Sequence, residues 1–251
     1  MYKPNRAGVF TIAALMTSIN IASAQLNLNK WQVGINGGVF VYQGDLTPAA
    51  LGSYKTLQPT VELYISGILN PSFILRTNLA FGKLMGADAS YKSPAYRRQR
   101  NLSFSSPVTE ISALLVWNIF GNNSNEIGNR FSPYVFGGAG ASFLNVSRTS
   151  NLNKTFFANE PQVEVGLSQD LARTPPKTIL VLPVGIGVEY YLFPNLSVTA
   201  ETNFRYTFTD YIDGFSRVAN AAKNDFYHSH TMGLLFKFGN RKQLDCPVIK
   251  K

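Results

Sequence analysis

Cysteine is almost missing from this 251-residue chain: there is one, Cys246. A single thiol excludes an internal disulfide framework and any cysteine-based zinc site. Charge is scarce as well, at 15% of residues, against about 25% in soluble domains. Long apolar runs are lacking too. Beyond the N-terminus no segment approaches ~18 consecutive apolar residues, so no membrane-spanning helix is predicted. There is no Walker loop, and Gly137, Gly138 and Gly140 lack the strand-to-helix context in which glycines cradle phosphate. With so little charge, much of the surface must face something other than water.

What is present begins with a leader. Lys3 and Arg6 precede an apolar run from Ala7 to about Ile21, closed by Ala22-Ser23-Ala24. This is the pattern of a cleaved secretory signal peptide, and no cysteine follows it to take a lipid. Residues 1–24 are therefore predicted to be the signal peptide, 25–239 the folded body and 240–251 a polar, basic tail. The body is rich in Gly (20 in the chain), Phe (18) and Tyr (12).

Apolar and polar residues alternate along eight segments, the spacing of strands with two different faces. They run from Lys30 to Tyr42, Thr60 to Leu69, Phe73 to Leu84, Thr109 to Ile119, Pro133 to Asn145, Ile179 to Leu192, Leu196 to Thr209 and Phe226 to Phe238. The connections after the second, fourth and sixth strands are the shorter ones. Those around residues 44–59, 85–107, 146–177 and 210–225 are long and polar. Even strand number, strand length and alternating loops predict an all-β fold: an eight-stranded antiparallel transmembrane β-barrel of OmpA/OmpX-like size, with short periplasmic turns and long extracellular loops. The same alternation could describe a lipocalin-like or sandwich fold, but such a fold shows Lys and Glu to water, and here the polar face is Gly, Ser, Asn and Thr. On the barrel reading, Trp31, Trp117, Phe120, Tyr190 and Phe193 gather at one interface. Phe40, Tyr42, Tyr206, Phe208, Phe226 and Tyr227 gather at the other, as two aromatic belts.

The polar face carries Glu62, Arg76, Glu110, Glu189, Glu201 and Arg205, with Lys237 as a candidate addition. Paired carboxylates in apolar surroundings can make a general acid. In a lumen only wide enough for side chains, mixed signs favour a structural network instead. Within the stretch from Val184 to Tyr206, Glu189, Glu201 and Arg205 are expected to neutralise one another. His228-Ser229-His230 is the one cluster of nucleophile and base, yet neighbours in a strand point to opposite faces, so Ser229 cannot meet either histidine. Tyr96-Arg97-Arg98-Gln99-Arg100 is a basic run in the second long loop, read as solvated or as a contact for lipid phosphates. Nucleic acid is excluded for an exported chain. No catalytic, cofactor or metal residue is assigned.

Five short motifs, in this order, resemble one known family. They are Gly44-Asp45-Leu46, Pro133 to Gly138, Tyr206 to Asp213, Asp225-Phe226-Tyr227 and Phe236-Lys237-Phe238-Gly239, and the family is the PorG-like outer-membrane barrels of Bacteroidetes. The resemblance implies a non-enzymatic, structural part of the type IX secretion machinery. It also implies docking to a periplasmic ring of the lipoprotein PorK and its partner PorN, beside other outer-membrane components of the system. A surface adhesin or a minor solute channel is the alternative. A periplasmic working surface directs attention to the tail 240–251 and the linker 121–130. Cys246, in that tail, is then expected to form an intermolecular disulfide with a ring lipoprotein.

Overall fold

The computed structural model describes residues 30–121, 123, 130–219 and 224–238. The leader, the tail with Cys246 and most of the linker 121–130 lie outside the described residues. Eight long strands form the body: β1 (Trp31–Gln43), β2 (Gln58–Ile68), β3 (Phe73–Ala87), β4 (Leu102–Asn118), β5 (Phe131–Leu144), β7 (Thr178–Phe193), β8 (Leu196–Thr207) and β9 (Phe226–Lys237). A short strand, β6 (Ser147–Ser150), pairs with the upper end of β4. Each long strand lies antiparallel to the next, and β9 returns to pair with β1 from Gln32↔Lys237 to Gln43↔Phe226. The ring is thus a closed eight-stranded antiparallel barrel with no free edge.

Its wall is turned inside out relative to a water-soluble barrel. Ile35, Leu63, Leu75, Leu115, Ile186 and Leu234 stand exposed on the outside, while Asn36, Glu62, Ser112 and Thr199 are buried inside. Toward the long-loop end of β4 the pattern inverts. On β4, Glu110 and Ser112 point inward beside outward Ile111. Higher up, Leu102, Phe104 and Val108 point inward, with Ser103, Ser105 and Pro107 outward. This explains why the predicted third and fourth strands were too short. The segment from Leu102 to Val108 does alternate, but with the soluble sense of alternation, and its serines suggested a loop. Pairing in fact continues to Ala87↔Ser103.

The inverted ends enclose an apolar core. Phe40, Leu84, Leu102 and Phe104 from the wall meet Ile212, Phe215 and Val218 from the loop 208–225 and Leu167 from a helix, α2 (Pro161–Ala172). Fully burying a side chain such as Ile212 or Phe215 contributes about 1.5–3 kcal/mol. Proline at the first helical position suits the start of α2. Gly166 lets the helix press onto the fourth long loop, since a Cβ there would lie 2.7 Å from the Arg217 carbonyl oxygen. A second helix of five residues, α1 (Tyr96–Arg100), sits in the second long loop.

Candidate functional site

Inward side chains fill the lumen in three storeys. Nearest the short turns, the Lys237 ammonium lies 2.8 Å from Glu189 Oε1 and donates to the Tyr191 hydroxyl at 3.1 Å. In the middle, Arg76 Nη1 donates to Glu201 Oε1 at 2.7 Å, and the Tyr134 hydroxyl donates to the same oxygen. Above, Arg205 joins two carboxylates, with Nη2 3.0 Å from Glu62 Oε1 and Nε 2.9 Å from Glu110 Oε2. Tyr227 and Ser229 donate to Glu110 and Glu62. Every member of the predicted charge set therefore lies inside and is paired.

The pairing differs from the expected one. Glu189, Glu201 and Arg205 do not neutralise one another. Each reaches across the lumen to a strand outside the stretch that holds them: to Lys237 on β9, to Arg76 on β3, and to Glu62 on β2 and Glu110 on β4. Residues close in sequence on a two-strand hairpin line one sector of the wall, and a narrow lumen brings opposite sectors together. The cations are also boxed by rings. Arg76 lies 4.3 Å from the Tyr64 ring centre and Arg205 5.1 Å from that of Phe40. Gly34 makes room for the Tyr64 ring, and Gly187 for that of Tyr134, which also faces Arg76, since a Cβ at either would come within 2.5 Å of the ring. At the lower end the remaining cavity is about 10 Å³, the space of roughly one water.

The long-loop end is closed by a cap of loops. The Tyr42 hydroxyl contacts Asp213 Oδ2 at 2.5 Å and Asp225 Oδ1 at 3.3 Å, while the Phe215 and Ile212 amides donate to the two carboxyls. One hydroxyl carries one proton. Both contacts are satisfied together when one carboxyl is protonated and donates to the phenolic oxygen. Burial pushes Asp213 up to about 8, with the charges of Asp45 and Asp210 adding to it. Burial and then the charge of Asp213 raise Asp225 well above the usual carboxylate range. Asp170 of α2 pins the same loop by accepting the amides of Ser216, Arg217 and Val218 at 2.9–3.1 Å. Sequence reading missed these carboxylates. The signal available was that Asp45, Asp213 and Asp225 all fall in the motifs that carried the family resemblance.

Several predicted positions change their role. Phe40, Tyr42 and Tyr227 are buried and point inward, so they belong to the cap and lumen and not to an aromatic belt. They lie on the inward register of β1 and β9 where the interior turns apolar. Tyr206 and Phe208, and Trp117, Phe120, Tyr190 and Phe193 at the other end, are exposed outward, and Trp31 and Phe226 are half-buried. Of the three arginines in the basic run, Arg98 alone is exposed. Arg100 grips Asp88 with two bonds of 2.7 and 2.9 Å, Arg97 adds a third of 2.9 Å, and both arginines donate to the Asp45 carbonyl. The run is a clamp between the first two loops. Ser229 faces the lumen, while His228 and His230 face outward, where the Tyr54 hydroxyl lies 3.3 and 2.9 Å from their Nε2 atoms. Among the described residues, no group of three or more His, Cys, Asp or Glu side chains is placed to hold a metal ion.

The sequence profile of a family described as a domain of unknown function, DUF6089, matches residues 7–247. The chain belongs to the DUF6089 family. No curated protein matches its sequence. Among solved structures, this DUF6089 barrel is similar to Neisserial surface protein A, at 15% identity and a TM-score of 0.46, covering 83% of this chain and 97% of that one. It is similar to Ail of Yersinia pestis, solved with the heparin analogue sucrose octasulfate, at 12% identity and a TM-score of 0.43, over 83% and 97% of the two chains. Similarity to OprG of Pseudomonas aeruginosa is at 12% identity and a TM-score of 0.42, over 83% and 96%.

Proposed function

We propose that this DUF6089 protein is a structural barrel of the outer membrane that anchors a periplasmic assembly, as the PorG-like resemblance implies for the PorK and PorN ring of type IX secretion. Membrane placement is supported by the apolar outer wall with its aromatic rims and by the secretory leader. The observation that carries the anchoring role is the filled lumen. With its interior occupied by ion pairs and its upper end capped, the molecule has its surfaces left to work with. On this reading it is not an enzyme, and the periplasmic side, including the tail with Cys246, meets the ring.

The test is co-purification. Outer membranes solubilised in mild detergent, with the barrel as bait, should yield PorK and PorN. A chain lacking residues 240–251 should insert normally and lose both. Recovery of neither partner with the full chain would overturn the secretion role while leaving the barrel intact. A surface adhesin is the second reading. It is favoured by a cleft of about 730 Å³ between the first long loop, α1 and the ends of β8 and β9, lined by Tyr96, Tyr206 and Phe226. Binding of sulfated glycans to whole cells, lost in a Tyr96→Ala variant, would support that reading instead.

A further inference from the structure

Two side chains of β9 and one of the first long loop converge on the outside of the barrel. His228 and His230 are the only histidines in the chain. As alternate residues of β9 they stand on the same face, and their ring centres are 5.1 Å apart. The first long loop folds back over this face. Its Ser53 amide donates to the Tyr42 carbonyl at 2.6 Å, and the Thr56 hydroxyl donates to the Met85 carbonyl at 2.7 Å. Gly52 lies directly against the first histidine, since a Cβ there would be 3.2 Å from His228 Cε1. Between these anchors Tyr54 places its hydroxyl 3.3 Å from His228 Nε2 and 2.9 Å from His230 Nε2.

A phenol carries one proton and cannot donate to two imidazoles at once. A cation at the meeting point would engage a lone pair of all three groups. Ligands held ~2.0–2.1 Å from a tetrahedral zinc ion stand about 3.3–3.4 Å from one another. The contact of Tyr54 with His228 already has that length, and the contact with His230 has to open by about 0.4 Å on the same geometry. Tyr54 can supply the movement, because it is 50% exposed, and its open side leaves a fourth position to water. The Thr202 hydroxyl lies 3.0 Å from His230 Nδ1, the kind of outer partner that fixes a tautomer and frees Nε2 to ligate. The His228 ring is held against Phe204, with 4.8 Å between ring centres. Its Nδ1 has no hydrogen-bond partner among the described residues, so no second bond dictates its tautomer. Two imidazoles and a phenol oxygen suit zinc or copper, whereas magnesium and calcium take sets of oxygen ligands.

We propose that Tyr54, His228 and His230 form a binding site for a divalent transition-metal ion of the zinc and copper class. The ion displaces the Tyr54 phenol proton to solvent and fastens the first long loop to β9. The site goes beyond the anchoring role and does not depend on it. Cu²⁺ and Zn²⁺ are the probes, added to the full chain extracted from outer membranes in mild detergent and carrying no affinity tag. Heat-modifiable migration on gels tests folding separately.

Wild type should take up one Cu²⁺ per chain, with the paramagnetic resonance of two imidazole nitrogens and a visible phenolate-to-copper charge-transfer band. Tyr54→Phe should lose the band while remaining heat-modifiable. Thr202→Val should weaken Cu²⁺ and Zn²⁺ binding about tenfold, and His228→Gln or His230→Gln should weaken it further. Cys246→Ala, which removes the one thiol, should bind as the wild type does. A wild type without the band would overturn the site. So would a His230→Gln variant that binds Cu²⁺ as the wild type does, loss of the ion in Cys246→Ala, or one ion shared by two chains.

Discussion

Arg205 has no exposed side-chain surface and holds both Glu62 and Glu110. Replacing it with leucine strands two buried carboxylates. Removal of one partner from a buried ion pair typically costs about 3–5 kcal/mol. Arg205→Leu should therefore lower the urea midpoint of the heat-modifiable form far more than Lys237→Met does at the lower end of the lumen. Asp213 makes a second residue-scale prediction. Its folded value is about 8, against ~3.9 for an unfolded aspartate. Below about pH 4 both forms are neutral, and the cap has its full stability. As pH rises toward 8 the open form ionises and the closed one resists, so stability is lost steadily. Amide exchange in the loop 208–225, corrected for intrinsic rate, should speed up from pH 5 to 9, with Tyr42, Asp45, Asp210 and Asp225 as the facing groups. Asp213→Asn should flatten that dependence. Sequence alone placed the lumen charges on the inward face, because a strand's period of two is rigid. It could not pair them, because partners across a closed ring are separated by as many as 143 positions, as in Arg205 and Glu62.

At the scale of elements, the wall was legible and the cap was not. Apolar alternation in β2, β7 and β8 marks strands directly. In the upper part of β4 the same alternation carries the opposite sense and resembles a loop. Helix α2 was hidden because its pattern is weakly amphipathic, with Gly166, Leu167 and Asp170 its buried residues. Both buried arginines of the second long loop converge on one carboxylate. Asp88 accepts from Arg97, Arg100 and the Leu102 amide. Asp88→Ala should unfasten α1, and trypsin added to intact cells should then cut at Arg97 and Arg100, which the wild type protects. An unchanged digest would mean that the loop is held elsewhere.

At the scale of the whole molecule, the filled lumen predicts electrical silence. Planar bilayers with the wild-type barrel should show no steps of conductance, and steady openings would favour the minor solute channel. The inversion of the wall has a mechanical consequence. Below Val108 the outside of β4 suits hydrocarbon, and above it the outside suits water, so the strand bears a float line. Moving the barrel up would expose Ile111 to water, and moving it down would sink Ser103 and Ser105 into oil. On β4 either shift is opposed. A strand marked in this way holds the height of its sector of the wall, and whatever is fastened to the underside there is held at a constant distance from the bilayer.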